Sequence, residues 1–292
     1  MRDAQADDRP RLLPAALLLA PATGFTALVF WIAMVVLMVL SIYPFLSSTS
    51  PTVTFAAWVK FLRDPYYWSV VGSTLQLGAV TTLLCLLVGY PVAYAMTKIR
   101  HPGRLLLATV LLFSPILVSV VVRTYGWLLL LARNGAVNYA LVGLGVTQQP
   151  LNLVFNTTGV IIAMVHILLP FMAFPALSVL NQIPPQLGEA AVDLGANRVE
   201  RFMRVTLPLS LPGIISGCQI VFTLTISAFV TPFLMSGGKI QTLSGVIYRD
   251  MEALEFSFVS VTAFVLLAVS LVILLISNII GKRSYARAEV TP

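Results

Sequence analysis

Six stretches of roughly twenty or more mostly apolar residues recur along the chain, and nothing constrains its fold more than they do. They cover residues 24–46, 70–96, 105–131, 159–180, 212–235 and 257–280. At about 1.5 Å per residue, each is long enough as a helix to cross a hydrocarbon core of about 30 Å. The β-branched residues, glycines and prolines inside them are tolerated, because membrane helices accept all three. A transmembrane barrel would need strands of about ten residues with polar alternation, and no segment alternates that way. Composition points to the same solvent: only 10% of residues are charged and 58% are hydrophobic. A soluble domain carries about a quarter charged residues, so this surface belongs in lipid. The expectation is an all-α membrane protein with one domain of six transmembrane helices over residues 24–280. A cytoplasmic or interfacial segment, 1–23, precedes it, and a basic cytoplasmic tail, 281–292, follows.

The net charge of +7 could suggest nucleic acid, but its distribution does not. Arg2, Arg9, Arg11, Lys98, Arg100, Arg104, Arg198, Arg201, Arg204, Lys282, Arg283 and Arg287 fall on one side of the expected membrane. Only Lys60, Arg63, Arg133, Lys239 and Arg249 fall on the other, with Arg123 near the end of the third span. The excess places both termini in the cytoplasm, and the implied partner of the surface is lipid, not nucleic acid. Trp58, Tyr66, Tyr67 and Trp68 then sit in the first external loop, as an interfacial aromatic belt would. Residues 12–20, before Ala20-Pro21-Ala22, resemble a short signal sequence. Asp3, Asp7 and Asp8 spoil its positive flank, and nine residues cannot span, so an interfacial lead-in to the first helix is expected. Cys85 and Cys218 stand alone in apolar runs and read as packing residues.

The most informative segment is the connection 181–208, NQIPPQLGEAAVDLGANRVERFMRVTLP. Pro184 and Pro185 suit the first turn of a helix. Leu187, Ala190, Ala191 and Leu194 then recur on one face at helical period. Glu189 and Asp193 point elsewhere, near the positive end of the helix dipole. Gly195 supplies the stop. A second short helix carries Val199, Phe202 and Met203 as its apolar stripe and Arg198, Arg201 and Arg204 as its polar side. Glu200 is placed to pair with Arg204. Pro208 and Pro212 are expected to separate this elbow from the fifth span. An amphipathic loop held on the membrane surface is the plainer reading.

Glu189-Ala190-Ala191, then Gly195, then Val205-Thr206-Leu207-Pro208 resembles the EAA motif of binding-protein-dependent ABC permeases, with Val205 where that family usually has Ile. The resemblance covers nearly the whole chain and implies the type I importer (MetI-like) permease fold in a bacterial inner membrane. It implies that Glu189, Ala190, Ala191, Asp193, Gly195, Arg198, Val205, Leu207 and Pro208 dock on a cytoplasmic ATPase dimer. The implied partners also include a second, homologous permease and a periplasmic solute-binding protein. Val122-Arg123-Thr124-Tyr125 with Asn134-Gly135 and Asn138 is similar, more loosely, to the spermidine/putrescine permeases. The implied solute is a polyamine or another small organic cation; permeases for iron, phosphonates, opines and thiamine share much of the pattern.

An intramembrane enzyme is the rival from another class. It would need buried catalytic groups, yet no Asp or Glu lies between Pro65 and Gly188, and the histidines are only His101 and His166. No GxSxG, HExxH or GxxxxGK[ST] pattern occurs, so no catalytic residue, metal or cofactor is expected and ATP hydrolysis falls to another polypeptide. An ion channel would have no use for the motif loop. Gln219, Thr223, Ser227 and Thr231 follow four-residue spacing and read either as lining a solute path or as helix–helix hydrogen bonding. Pro232, Gly237 and Gly238 suggest a kink and a flexible loop beyond them. Asp250, Glu252 and Glu255 could concentrate cations at an external mouth, or form a solvated or docking surface.

Overall fold

The structure is a computed structural model that describes residues 12–43 and 53–289, with side chains from 20–43 and 53–279. The charges expected at Arg2, Asp3, Asp7, Asp8, Arg9 and Arg11, and the side chains of Lys282, Arg283 and Arg287, lie outside the described residues. Every regular element among the described residues is a helix, and none is a strand. The helices are α1 (Leu12–Ile42), α2 (Ala56–Arg63), α3 (Pro65–Met96), α4 (Pro102–Leu117), α5 (Val120–Leu131), α6 (Ala136–Gly143) and α7 (Thr157–Leu180). There follow α8 (Pro185–Asp193), α9 (Arg198–Arg201), a π-helical turn (Phe202–Thr206), α10 (Leu207–Ser227), α11 (Val230–Ser236), α12 (Leu243–Glu252) and α13 (Phe256–Glu289). Among the described residues five helices are long and apolar enough to cross a membrane, and six spans are reached if α4 and α5–α6, bent by 101° at their break, count as one broken span. Helices α1 and α13 run through the expected boundaries near residues 24 and 280 without a break.

The centre is a triangle of α3, α7 and α10. Helices in lipid gain little from hiding apolar surface, so they depend on close packing and favour small residues at contacts. A β-carbon on Gly213 would stand 2.7 Å from the Pro175 carbonyl oxygen, and one on Gly217 would stand 2.8 Å from Met172 Sδ and 3.0 Å from its carbonyl oxygen. These two glycines, spaced Gly-x-x-x-Gly, let α10 lie directly on the α7 backbone. Gly89 of α3 meets Met172 from the other side, where a β-carbon would be 2.9 Å from Met172 Cγ. Met172 therefore sits fully buried where the three helices converge. Tyr90 of α3 and Ser210 of α10 share a buried hydrogen bond of 2.8 Å nearby.

Helices α2 and α12 close one end of the bundle. Phe61 stacks on Tyr67 at 4.7 Å between centroids, and Leu243, Val246 and Val261 pack around them. Tyr67 is thus a core residue and not part of a membrane-surface belt, while Trp68 is exposed. The Leu243 N–H donates to Thr74 Oγ1 at 2.9 Å, tying α12 to α3. Helices α1 and α13 lie outside the triangle, joined by Ser257 Oγ donating to the Leu40 carbonyl at 3.0 Å.

Two expected spans are broken. The third stops at Val118–Ser119, where the backbone turns extended. In an unbroken helix the Pro115 carbonyl would accept from Ser119; here the Arg123 guanidinium donates to it instead. That bond satisfies a carbonyl which lipid could not. The fifth span ends at Ser227, because Ala228 is extended, and a new helix starts at Val230. Pro232 lies in the first turn of α11, where a proline costs nothing, so the break falls before it and not at a Pro232 kink.

Valine at Gly213 or at Gly217 should destabilise the purified protein by about 1–3 kcal/mol, the range for overpacking a filled contact. Alanine at Gly126, which has open space around it, should leave the melting temperature unchanged. Thermal unfolding in detergent reads all three.

Candidate functional site

The loop between α7 and α10 is built from two caps set back to back. Pro184, extended at φ −60° and ψ 130°, precedes α8, and Pro185 opens it. Gly195 ends it in the left-handed region at φ 88°. Its N–H donates to the Val192 carbonyl at 2.8 Å, and the Ala196 N–H reaches the Ala191 carbonyl at 2.9 Å, which makes a Schellman motif. Two residues later Asn197 starts α9: its Oδ1 accepts from Val199 N (3.0 Å) and Glu200 N (2.9 Å), and Glu200 Oε2 accepts from Asn197 N (2.9 Å). This capping box fixes the angle between α8 and α9. It also uses Glu200, which closes the cap instead of pairing with Arg204. Asp193 is the last residue of α8, so it lies at the negative end of the dipole and not at the positive one; nine residues leave no other place for it.

The apolar residues of this elbow find no cover among the described residues. Leu194 is 89% and Val199 69% exposed, and Leu187, Val192 and Met203 are exposed beside them. Ala190 adds a small exposed position, and Asp193, Arg198 and Pro208 are also exposed, while Ala191, Val205 and Leu207 are half-buried. Phe202 departs from the stripe expected for it with Val199 and Met203. It turns inward and meets Tyr94 edge-to-face at 5.3 Å, with Tyr90 at 6.1 Å. The cause is the π turn, in which Leu207 N–H donates to Phe202 O five residues back. That wide turn lets α9 run on into α10, so Pro208 and Pro212 lie inside one continuous helix, Arg198–Ser227, and do not separate the elbow from the span. Behind the elbow, at the C-terminal ends of α3 and α7, a cavity of about 490 Å³ brings Glu189 together with Lys98, Arg100 and Arg201.

The four polar residues expected on one face of the fifth span are divided: Gln219, Thr223 and Ser227 keep their four-residue spacing on α10, and Thr231 lies beyond its end. Gln219 donates to Ser277 Oγ of α13, and Thr231, on the separate helix α11, shares a hydrogen bond of 3.1 Å with Thr124. Thr223 is half-buried and Ser227 exposed at the end of α10. Asp250 is turned inward, only 8% exposed, with Oδ1 held by Arg249 at 3.1 Å. Glu252 and Glu255 stay exposed, and the bond from the Tyr248 phenol to Glu252 raises that phenol's pKa. His166 accepts from Trp127 Nε1 at 3.2 Å. Asn138 is buried and makes three hydrogen bonds to the backbones of Ala132 and Leu151. Arg123 and Asn138 are therefore engaged by backbone groups of the broken span and its flanking loop. Sequence reading passed over the Gly213–Gly217 spacing, although the small-xxx-small pattern was visible.

Curated relatives agree with this architecture. The chain is 38% identical over 189 residues to the spermidine/putrescine transport system permease protein PotB of Haemophilus influenzae, covering 65% of this chain and 66% of that one. With the protein of the same name from Escherichia coli it is 36% identical over 216 residues, 74% of this chain and 78% of the relative. The chain belongs to the family of ABC importer permeases. A solved bacterial ABC transporter that imports the acidic polysaccharide alginate superposes with a TM-score of 0.75 at 19% identity, covering 96% of both chains. A second alginate transporter structure, with a TM-score of 0.73 over 93% of this chain and 94% of that one at 19% identity, holds a bound periplasmic protein. No protein-family model matches the chain. The membrane-spanning architecture expected from hydropathy is thus that of this permease family.

In this permease, replacing Asn197 by Ala removes the two bonds that its Oδ1 accepts and leaves the Glu200 half of the capping box, which needs only the backbone N–H. The expected cost is about 1 kcal/mol of local stability. Hydrogen exchange of the Val199 and Glu200 amides should rise several-fold, while the α7 amides keep their protection.

Proposed function

We propose that the chain forms one half of the transmembrane path of an ATP-driven, binding-protein-dependent importer of polyamines or a similar small organic cation. In this reading it works with a second, homologous permease, receives solute from a periplasmic binding protein and leaves ATP hydrolysis to a cytoplasmic ATPase dimer. The observation that carries it is the elbow of α8 and α9. Its apolar side chains are exposed, with nothing among the described residues to cover them, on a frame locked by two caps. Exposed apolar patches rimmed by charge mark protein contacts, and the elbow joins the bundle core through one unbroken helix. The Lys98, Arg100, Arg198, Arg201 and Arg204 charges gather at the same end, which supports a cytoplasmic elbow and cytoplasmic termini. The identity to the PotB relatives supports polyamines as the solute; the same permease role for an opine, a phosphonate, iron or thiamine is the second reading.

Glu189→Lys and Gly195→Pro should each lower uptake by about ten-fold or more, the factor that goes with a loss of about 1.4 kcal/mol of docking energy. Membrane insertion should survive in both. Wild-type uptake of radiolabelled putrescine or spermidine by both variants would remove the docking role from this loop. Orientation has its own measurement. Single cysteines at Gln148 and Glu255 should react with an impermeant thiol reagent in sealed cells, and cysteines at Gln186 and Arg198 only once the membrane is opened. If the wild-type complex takes up a neutral or anionic compound and polyamines do not compete, the solute assignment fails and the permease role stands.

A further inference from the structure

At the end of the bundle opposite the elbow, one face of α3 carries Ser69, Gly72, Ser73 and Gln76 at successive helical spacings, and all but the half-buried Ser73 are exposed. Two and three turns further along the same face the exposed residues become Leu83 and Leu87. Polar groups facing hydrocarbon are costly, so the polar half of this face belongs against water or protein. The polar half of this face opens into a cavity of about 360 Å³, within the range of sites that take small molecules. Thr157 of α7 and the loop residues Lys239 and Gln241 close it.

The loop is fixed at both ends. Gly237 and Gly238, at φ 58° and 77°, turn the chain out of α11, and the Leu243 N–H is bound to Thr74 of α3. Lys239 is held over the cavity between these anchors, exposed and without an ion pair among the described residues. The hydroxyls of Ser69 and Ser73 donate to the carbonyls of Tyr66 (2.7 Å) and Ser69 (2.9 Å), which leaves their oxygens free to accept. Gln76 makes no side-chain hydrogen bond among the described residues, so its carbonyl and both amide hydrogens are available. Tyr66 already receives Arg249 Nη1 at 2.8 Å, and that guanidinium lies over its ring. The cavity thus offers neutral hydrogen-bonding groups and one positive charge, and no carboxylate.

We propose that this cavity is the half of the solute path remote from the elbow, that Ser73 and Gln76 contact the solute there, and that Lys239 sets the charge preference of the passage. The proposal rests on the permease reading but not on the polyamine assignment. The groups suit a hydrogen-bonding solute, and the ammonium of Lys239 keeps a cation from lodging where it has to pass.

The test uses the assembled complex in sealed cells, with Cys85 and Cys218 replaced by Ala and a single cysteine at Ser73 or Gln76. Both cysteines are expected to react with water-soluble thiosulfonates added on the side that labels Glu255→Cys. Adding Lys239→Gln should lower the ratio of anionic to cationic reagent rates by about five-fold. Reaction only with a membrane-soluble maleimide would put this face in lipid, and reaction with neither reagent would put it under another protein; either result overturns the path. An unchanged charge ratio in Lys239→Gln overturns the role of Lys239. Slowing of the reaction by whichever solute the complex imports supports the path. If spermidine neither slows the reaction nor enters the cell while both cysteines still react, the path stands and the polyamine reading falls.

Discussion

Between Gly213 and Gly217 of α10 and the α7 backbone at residues 172–176 there is no room for a β-carbon, and the bundle is arranged around that contact. In lipid, burying an apolar side chain against another helix gains little over leaving it against an acyl chain. What remains is dispersion between well-fitted surfaces, which falls steeply with separation. Two glycines on one side and the Met172 thioether on the other bring three helices within that range. The outer helices α1 and α13 have no comparable contact, and α1 is largely uncovered.

The same solvent explains how the breaks are made. An interrupted helix leaves carbonyls and N–H groups that hydrocarbon will not satisfy. Each interruption here therefore has a side chain assigned to it. Arg123 takes the Pro115 carbonyl at the α4–α5 bend, Asn138 holds the backbone on both sides of α6, and Ser244 Oγ donates to the Ala228 carbonyl past the end of α10. These polar residues stand in or beside apolar segments, where a functional reading is tempting, and the backbone accounts for them.

Hydropathy made the spans legible because length and polarity are what a bilayer selects. It could not show the bends, since residues 105–131 are as apolar through Val118 and Ser119 as a straight helix would be. The stop at Gly195 is readable from a glycine after a periodic run, and the Asn197 cap beyond it is not. Glu200 was assigned to Arg204 because spacing alone does not distinguish a partner four residues ahead from a backbone N–H three residues behind. The periodic reading of Gln219, Thr223, Ser227 and Thr231 failed at Ala228, where the helix whose period it assumed ends. The polar half of α3 was passed over because serines and glutamine scattered in a long apolar run look like tolerated exceptions until their common face is seen.

The π turn at Phe202–Thr206 sets an angular phase. Each residue of an α-helix advances the chain by about 100°, and a π turn takes one more residue to come round. The extra residue rotates everything beyond it, so the face that α10 presents to α7 is offset from the face that α9 presents outward. Closing the turn to ordinary α geometry with the elbow held still would swing Gly213 and Gly217 off Met172. The elbow and the centre of the bundle are thus two faces of the one helix Arg198–Ser227, some 20 Å apart on its rise, and the angle between those faces is set by this single turn.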